Sequence, residues 1–329
     1  MLWKRELSQI LRFMGKQQTF AGLAWKSKGR VTRRERFLAE MDAIIPWKRL
    51  MALIEPHYPK AGKGRQPLGL EKMLRIYFLQ LWFDLSDPQA EDAIYDSESM
   101  RRFAGVELAD DQVPDESTIL RFRHLLEKHG LTEAIFHEVN TLLAEKNLLM
   151  KSGTIVDATI IAAPSSTKNA TKSRDAEMRQ TKKGNNWHFG MKVHVGTDRR
   201  GLVHSLITTH AAAADISQMA NLLHGGEREI FGDQAYWKEE QRKMYRDRGV
   251  RYRVNRRGHC TKPLTDHQKA INQIRSRTRA RGEHAFRVVK QLWGFAKVRY
   301  RGLMKNTARV FATFALANLY MIRLRLLPT

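Results

Sequence analysis

The sequence predicts an all-helical region followed by an α/β domain built on a mixed sheet. Three observations lead there. Apolar residues recur at helical spacing from 37 to 150. At residue 151 the pattern turns to short β-branched runs. Beyond about residue 215 such runs alternate with helical segments, as crossovers between parallel strands require.

The chain divides on this reading into a basic arm (1–36), a helical region (37–150) and an α/β region (151–329). The arm carries only Glu6 and Glu35 as acids and is expected to be partly flexible, helical near 7–13. It suits non-specific phosphate contact, or serves as a solubilising tail. In the helical region, segments 37–47, 47–54, 70–83, 87–95 and 98–103 precede a longer helix opened by Pro114-Asp115-Glu116-Ser117-Thr118 and closed at His129-Gly130. One more helix is expected over 131–146. Short helices before a longer one bearing Arg121 and Arg123 fit a helix-turn-helix array; a dimer or packing scaffold is the alternative. Residues 84–118 hold eleven Asp/Glu but only Arg101 and Arg102 as cations. Such a face cannot lie on phosphates and is expected to meet solvent or a basic surface.

In the α/β region, 153–163 is β-branched and almost continuously apolar, hence a buried strand. A polar loop is expected over 164–186. Strands follow at 187–197, 202–208, 229–236 and 250–254, helices at 215–224 and 238–248, and a core helix at 307–326. That makes five strands.

The formal net charge of +24 favours a polyanionic partner. Cys260 is the single cysteine, which excludes an intrachain disulfide and fits a reducing compartment. The N-terminus has no long apolar run, so no signal peptide is expected. The longest apolar run, 310–322, is too short to span a bilayer, and no membrane partner is expected. His259-Cys260 with Asp266 and His267 fits no zinc spacing and reads as loop.

Three carboxylates stand apart from the rest. Asp157 lies mid-run in an apolar strand, where an ionised group is costly unless paired or bound to a metal; the plain alternative is an Asp bonded to backbone. Asp233 lies where a strand gives way to a helix, as a functional group or as a cap. Glu283 is the one acid among Arg279, Arg281, Arg287 and Lys290. On a continuous helix of ~100° per residue, Arg279, Glu283 and Lys290 would share a side. Either Glu283 is a salt-bridged surface acid or it is a catalytic carboxylate in a phosphate-binding face. An oxygen-only set suits Mg²⁺, with Mn²⁺ as substitute. From 238 to 309 there are twenty-two Lys/Arg against five Asp/Glu. A cationic surplus of that size around one carboxylate makes sense against DNA.

The run from Gly153 to Lys168, with Ile155-Val156-Asp157-Ala158-Thr159, resembles bacterial insertion-sequence transposases, specifically the insertion-sequence-five group. Thr181-Lys182-Lys183-Gly184-Asn185 leading to Trp187-His188-Phe189-Gly190-Met191-Lys192, Gly232-Asp233-Gln234-Ala235-Tyr236 and Arg281-Gly282-Glu283-His284 resemble the same group. So do Lys297-Val298-Arg299-Tyr300-Arg301-Gly302-Leu303 and, upstream, Arg75-Ile76-Tyr77-Phe78-Leu79-Gln80 and Pro114-Asp115-Glu116-Ser117-Thr118. The likeness spans roughly 35–325.

The resemblance implies an RNase H-like core with an Asp157, Asp233 and Glu283 triad holding two Mg²⁺ ions. It implies binding of terminal inverted repeats, cleavage that frees a 3′-hydroxyl, and joining of that hydroxyl to target DNA. No covalent protein–DNA intermediate and no small-molecule cofactor are implied. Arg279 and Lys290 would grip phosphates; the position that relatives fill with Tyr is Ser276. Arg287, Lys182, Lys183, Arg121 and Arg123 are further candidates for DNA contact. Tyr236 and Trp237 are candidates for stacking on a base, with core packing as the alternative. Asp215 reads as a helix cap. At least a homodimer on DNA is implied, and a cytoplasmic, nucleoid-associated location. A nuclease that does not join, and a silent transposase acting as a DNA-binding regulator, are the rival readings.

Overall fold

The computed structural model describes residues 27, 29–63, 66–109, 111–150, 152–170, 172–259, 261 and 263–327. The helix expected near 7–13, most of the arm, and Cys260 lie outside the described residues.

The helical region forms α1 (Arg33–Ile44), α2 (Trp47–Ile54), α3 (Leu70–Phe83), α4 (Asp87–Asp96), α5 (Glu98–Ala104), α6 (Glu116–Lys128) and α7 (Leu131–Glu145). Their starts follow local chemistry. Thr32 caps α1 and Ser86 caps α4, each in a reciprocal box with the third helical residue. Asp115 caps α6, its side chain accepting the Thr118 N–H at 2.7 Å. α3 is buried almost throughout, and Trp82, Tyr77 and Phe78 are its largest buried groups.

Four acids of the stretch 84–118 are answered by the protein's own cations. Asp87 pairs with Arg123, Glu98 with Arg101 and Arg102, Asp111 with Lys72, and Asp84 with Arg299 and Arg309.

The α/β region forms β1 (Gly153–Ala162), β2 (Arg179–Lys183), β3 (Asn186–Thr197), β4 (Val203–His210), α8 (Asp215–Gln218), β5 (Glu229–Gly232), α9 (Glu239–Asp247), β6 (Arg251–Val254), α10 (Asp266–Arg279), α11 (Glu283–Arg287), α12 (Leu303–Met321) and α13 (Arg323–Leu326). β1, β3 and β4 make an antiparallel meander; β5 and β6 then add in parallel on the other side of β1. This mixed sheet flanked by helices follows an all-helical region, as the sequence predicts.

The sheet has six strands rather than the five expected. The extra one, β2, comes from the polar loop and pairs with residues 186–190 of β3. Gly184 (φ +60°) and Asn185 make the two-residue turn between them. Most of β2 is exposed on both faces, so it carries no apolar alternation by which it would be recognised.

The core does not stop at residue 150. α12 packs along α7 and touches β4, α3, α1 and α6, and one hydrophobic cluster runs from Leu38 to Ile322. Buried Asn318 stitches this layer, donating to Asn140 Oδ1 at 2.9 Å and to the Val203 carbonyl at 2.7 Å. A second cluster, around Val156, Ile230, Tyr236 and Tyr252, lies on the other face of the sheet.

Candidate active site

The site begins with an unequal pair of strands. β5 pairs with β1 only over Gly153, Thr154 and Ile155, and ends at Gly232. Beyond that, among the described residues, the β5-side edge of β1 has no strand beside it until Ala162 bridges Lys297. A notch therefore opens along residues 156–161. Alternation puts Asp157 and Thr159 on one face and Ala158 and Ile160 on the other.

Three elements bring carboxylates to this notch. Asp157 comes from β1, Asp233 from the turn after β5, and Glu283 from the first residue of α11. All three line one cleft of about 510 Å³, with Thr159, Thr181, Lys182, Lys183, Lys192, Asp215, Ala235, Arg279 and Phe286.

Their local bonds explain how they are held. Asp157 Oδ1 accepts the Ala158 N–H at 2.8 Å, and Oδ2 lies 3.3 Å from Arg279 Nη1. Asp233 caps the short turn Gln234–Tyr236, accepting the Ala235 N–H at 2.8 Å through Oδ1. The backbone-bonded and capping alternatives for these two are thus present at the same time as their place in the cleft. Glu283 is half exposed and pairs with Arg279 Nη2 at 2.8 Å. Arg279 therefore spans Asp157 and Glu283 with one guanidinium. Its two terminal nitrogens point to different carboxylates, a double contact that the planar fork holds in fixed geometry.

The run carrying Glu283 is not the continuous helix expected. α10 stops at Arg279, a 3₁₀ turn covers Ala280–Gly282, α11 is five residues, and a π turn covers Val288–Leu292. The break coincides with close contact to the sheet: a Cβ on Gly282 would lie 3.1 Å from Ile155 Cγ2. Lys290 still reaches β1, donating to Thr159 Oγ1 at 3.2 Å and to the Ile160 carbonyl at 3.0 Å. Burial, and then the nearby Lys183, hold its ammonium below the usual lysine range.

Burial pushes the Asp157 carboxyl up to about 6, and the Asp233 and Glu283 charges add to the rise against the Ala158 N–H and Arg279. Its unfolded value is near 3.8. Between these values the folded chain holds the extra proton, so stability falls as pH rises through the window. Above it the cost is complete, on the order of 3 kcal/mol. Asp157→Asn is expected to raise the melting temperature by a few degrees at pH 8 in chelator and by about half as much at pH 5, midway through the window. A thermal scan at the two pH values checks this.

The donors are all carboxylate oxygens, the chemistry that Mg²⁺ and Mn²⁺ accept. Among the described residues no three His, Cys, Asp or Glu close into a ready metal cage. The set fits in donor type, with Arg279 as the group that must release Asp157 and Glu283.

The other expected contacts divide. Lys182 and Lys183 line the cleft, and Arg287 and Arg121 are exposed, Arg121 beside a separate groove with Tyr58 and Leu68. Arg123 is a correction. It is 5 % exposed, ion-paired to Asp87 at 3.0 Å and Glu127 at 2.8 Å, with its guanidinium 3.9 Å from the Tyr300 ring. It ties α6 inward and has no exposed charge to offer a phosphate. Tyr236 is also corrected, being 1 % exposed, and Trp237 is half-buried against Tyr252, with Arg256 over its ring. Ser276 accepts the Asn255 side-chain amide at 2.9 Å.

Two cleft residues had no role assigned from sequence, or had the wrong one. Asp215 is not the α8 cap, which is Ala214; its carboxylate lies 2.8 Å from Lys192 Nζ. Lys192 also donates to the Ala213 carbonyl at 2.7 Å. The available signal was a lysine inside the apolar run Met191-Lys192-Val193. Beside them His194 is fully buried, and burial holds its imidazole down at about 4.

Two family models match the chain, and one solved structure is similar to it. Residues 26–125 match a family described as Transposase domain (DUF772). A solved piggyBac transposase synaptic complex with hairpin DNA is similar at a TM-score of 0.42 and 9% identity, over 88% of this chain and 73% of that one. Residues 149–319, more than half of the chain and including all three carboxylates, match the family described as Transposase DDE domain. The chain belongs to the DDE transposase family.

Proposed function

We propose that this transposase is of the insertion-sequence-five group. It binds the terminal inverted repeats of its element, cleaves the ends by metal-dependent phosphodiester hydrolysis and joins the freed 3′-hydroxyls to target DNA. The observation that carries the reading is the meeting of Asp157, Asp233 and Glu283 in one cleft rimmed by Lys182, Lys183 and Lys192.

Asp157, Asp233 and Glu283 would hold two Mg²⁺ ions, for which Mn²⁺ substitutes. Bound there, divalent ions supply activation of the attacking oxygen and stabilisation of the leaving one. The chain's own residues do the rest. Arg279 leaves its two carboxylates and takes up a phosphate charge as DNA enters. Lys290, anchored on Thr159 and Ile160, offers a cation beside the scissile bond. Lys182, Lys183 and Arg287 hold the flanking backbone, and Arg121 contacts DNA from the helical region. Residues 37–150 act in DNA binding and dimerisation, residues 151–329 in catalysis, and the basic arm adds non-specific contact.

Two ends must be held together for joining, so the active species is at least a homodimer on DNA. The partners are DNA and a second copy, with no small-molecule cofactor and no membrane. Among the described residues no helix is long and apolar enough to cross one. The location proposed is the cytoplasm, on the nucleoid.

The test is a product analysis. Labelled duplexes carrying the inverted repeats that flank the coding sequence are incubated with the protein, Mg²⁺ and a circular target. Labelled ends covalently joined to the circle are the expected product. Cut ends that never join would replace the transposase reading with a nuclease. Bound but uncut ends would replace it with a DNA-binding regulator.

A further inference from the structure

We propose that the β2–β3 hairpin is a DNA-holding finger, and that Trp187 stacks on a nucleobase beside the scissile phosphodiester. This rests on the reading of the cleft as a site of DNA cleavage.

Trp187 is 64% exposed, whereas Trp47, Trp82, Trp237 and Trp293 are buried or half-buried. A lone exposed hydrophobe needs no explanation, but this one has a particular setting. The ribbon that carries it has hardly any core of its own: β2 is exposed on both faces. A two-stranded ribbon without a packed face is marginal in water and gains most from a partner. Its cations are Arg179, Lys182 and Lys183, and none of the three is paired with a carboxylate among the described residues.

Register makes the arrangement specific. Lys182 lies directly opposite Trp187, with its ammonium 5.9 Å from the indole centroid. Lys182, Lys183 and Thr181 line the same cleft as the triad. A phosphate-binding cation and an open π-face thus sit as one cross-strand pair at the edge of the catalytic notch. That pairing is what single-strand and distorted-duplex binders use, with cations tracking the backbone and an aromatic taking the base. A two-stranded ribbon also fits the major groove of B-form DNA. The aromatics nearer Asp233 are not available for this, since Tyr236 and Trp237 are committed to the second core cluster.

The experiment uses the full chain with Trp187→Ala, Trp187→Phe, and Lys182→Ala combined with Lys183→Ala. The probe is a 40-base-pair duplex of one flanking inverted repeat, with 2-aminopurine placed in turn at each position around the cut. Wild type is expected to change 2-aminopurine emission at one or two positions. Trp187→Ala should lose that change and bind roughly tenfold more weakly or worse, with the salt dependence unaltered. Trp187→Phe should retain part of both. The lysine pair should flatten the salt dependence instead. Unchanged emission and affinity in Trp187→Ala would overturn the proposal. So would loss of self-association in that variant without an emission change, which would make the hairpin a contact between copies. Failure of wild type to bind the duplex at all would instead remove the DNA-cleavage reading itself, and this proposal with it.

Discussion

Replacing Glu283 by Gln lowers the rate of end cleavage at least ~10³-fold, about 4 kcal/mol in activation free energy, and leaves DNA affinity within about twofold. The expected split follows from the geometry. Glu283 is half exposed and its described contact is Arg279, so the amide removes little packing and no interior bond. Stability should therefore move little. What the amide removes is a charge, and a two-ion site needs carboxylate charge rather than hydrogen-bonding capacity. Freed from Glu283, Arg279 keeps Asp157 and can still turn to a phosphate, so binding persists. Single-turnover cleavage and fluorescence anisotropy on the same preparation measure the two quantities. Equal losses in both would place Glu283 in binding rather than in chemistry.

The largest structural effect is expected at Arg309, far from the chemistry in sequence. It is 2 % exposed, bonded through Nη2 to Asp84 Oδ1 at 2.7 Å, with its guanidinium 4.8 Å from the Phe295 ring. Asp84 ends α3 in the left-handed conformation (φ 50°) and also pairs with Arg299 at 2.9 Å. The cluster fastens α12 to the helical region. Asp84 is about a third exposed and keeps Arg299, so removing Arg309 forfeits a charged hydrogen bond, about 1.5–3 kcal/mol, and the packing on Phe295. Arg309→Ala is expected to cost that much in urea unfolding, whereas Arg309→Met with Asp84→Asn should recover a large part. A loss below about 1 kcal/mol in the single variant would mean that the pair is not structural.

The helices of the first region were legible because their signals are local. Pro114-Asp115-Glu116 marks a start, and the apolar spacing over 70–83 gives α3 within its observed bounds. β1 was legible as a β-branched, almost continuously apolar run, and Asp157 stood out within it because a carboxylate there needs a reason. Other features depend on partners distant in sequence. Arg123 reads as an exposed basic position until Asp87, thirty-six residues earlier, closes on it. Asp215 has the position of a cap, yet its partner is Lys192 on a neighbouring strand. β2 is polar on both faces and owes its strand form to the extension of β3. The broken helix at Glu283 could not be read from periodicity, and it falls where Gly282 packs closely on Ile155, a contact distant in sequence.

The bridging Arg279 gives the central claim its sharpest consequence. It holds Asp157 and Glu283 together in the free protein, and it is also the cation expected on the DNA. Both cannot be true at once, so binding must move it. The most direct measurement is anomalous diffraction from crystals of the protein with one element end, soaked in Mn²⁺. The account predicts density bounded by oxygens of Asp157, Asp233 and Glu283 at about 2–2.3 Å, with Arg279 withdrawn onto a phosphate. Mn²⁺ bound elsewhere, with Arg279 still spanning Asp157 and Glu283 in the DNA complex, would contradict it.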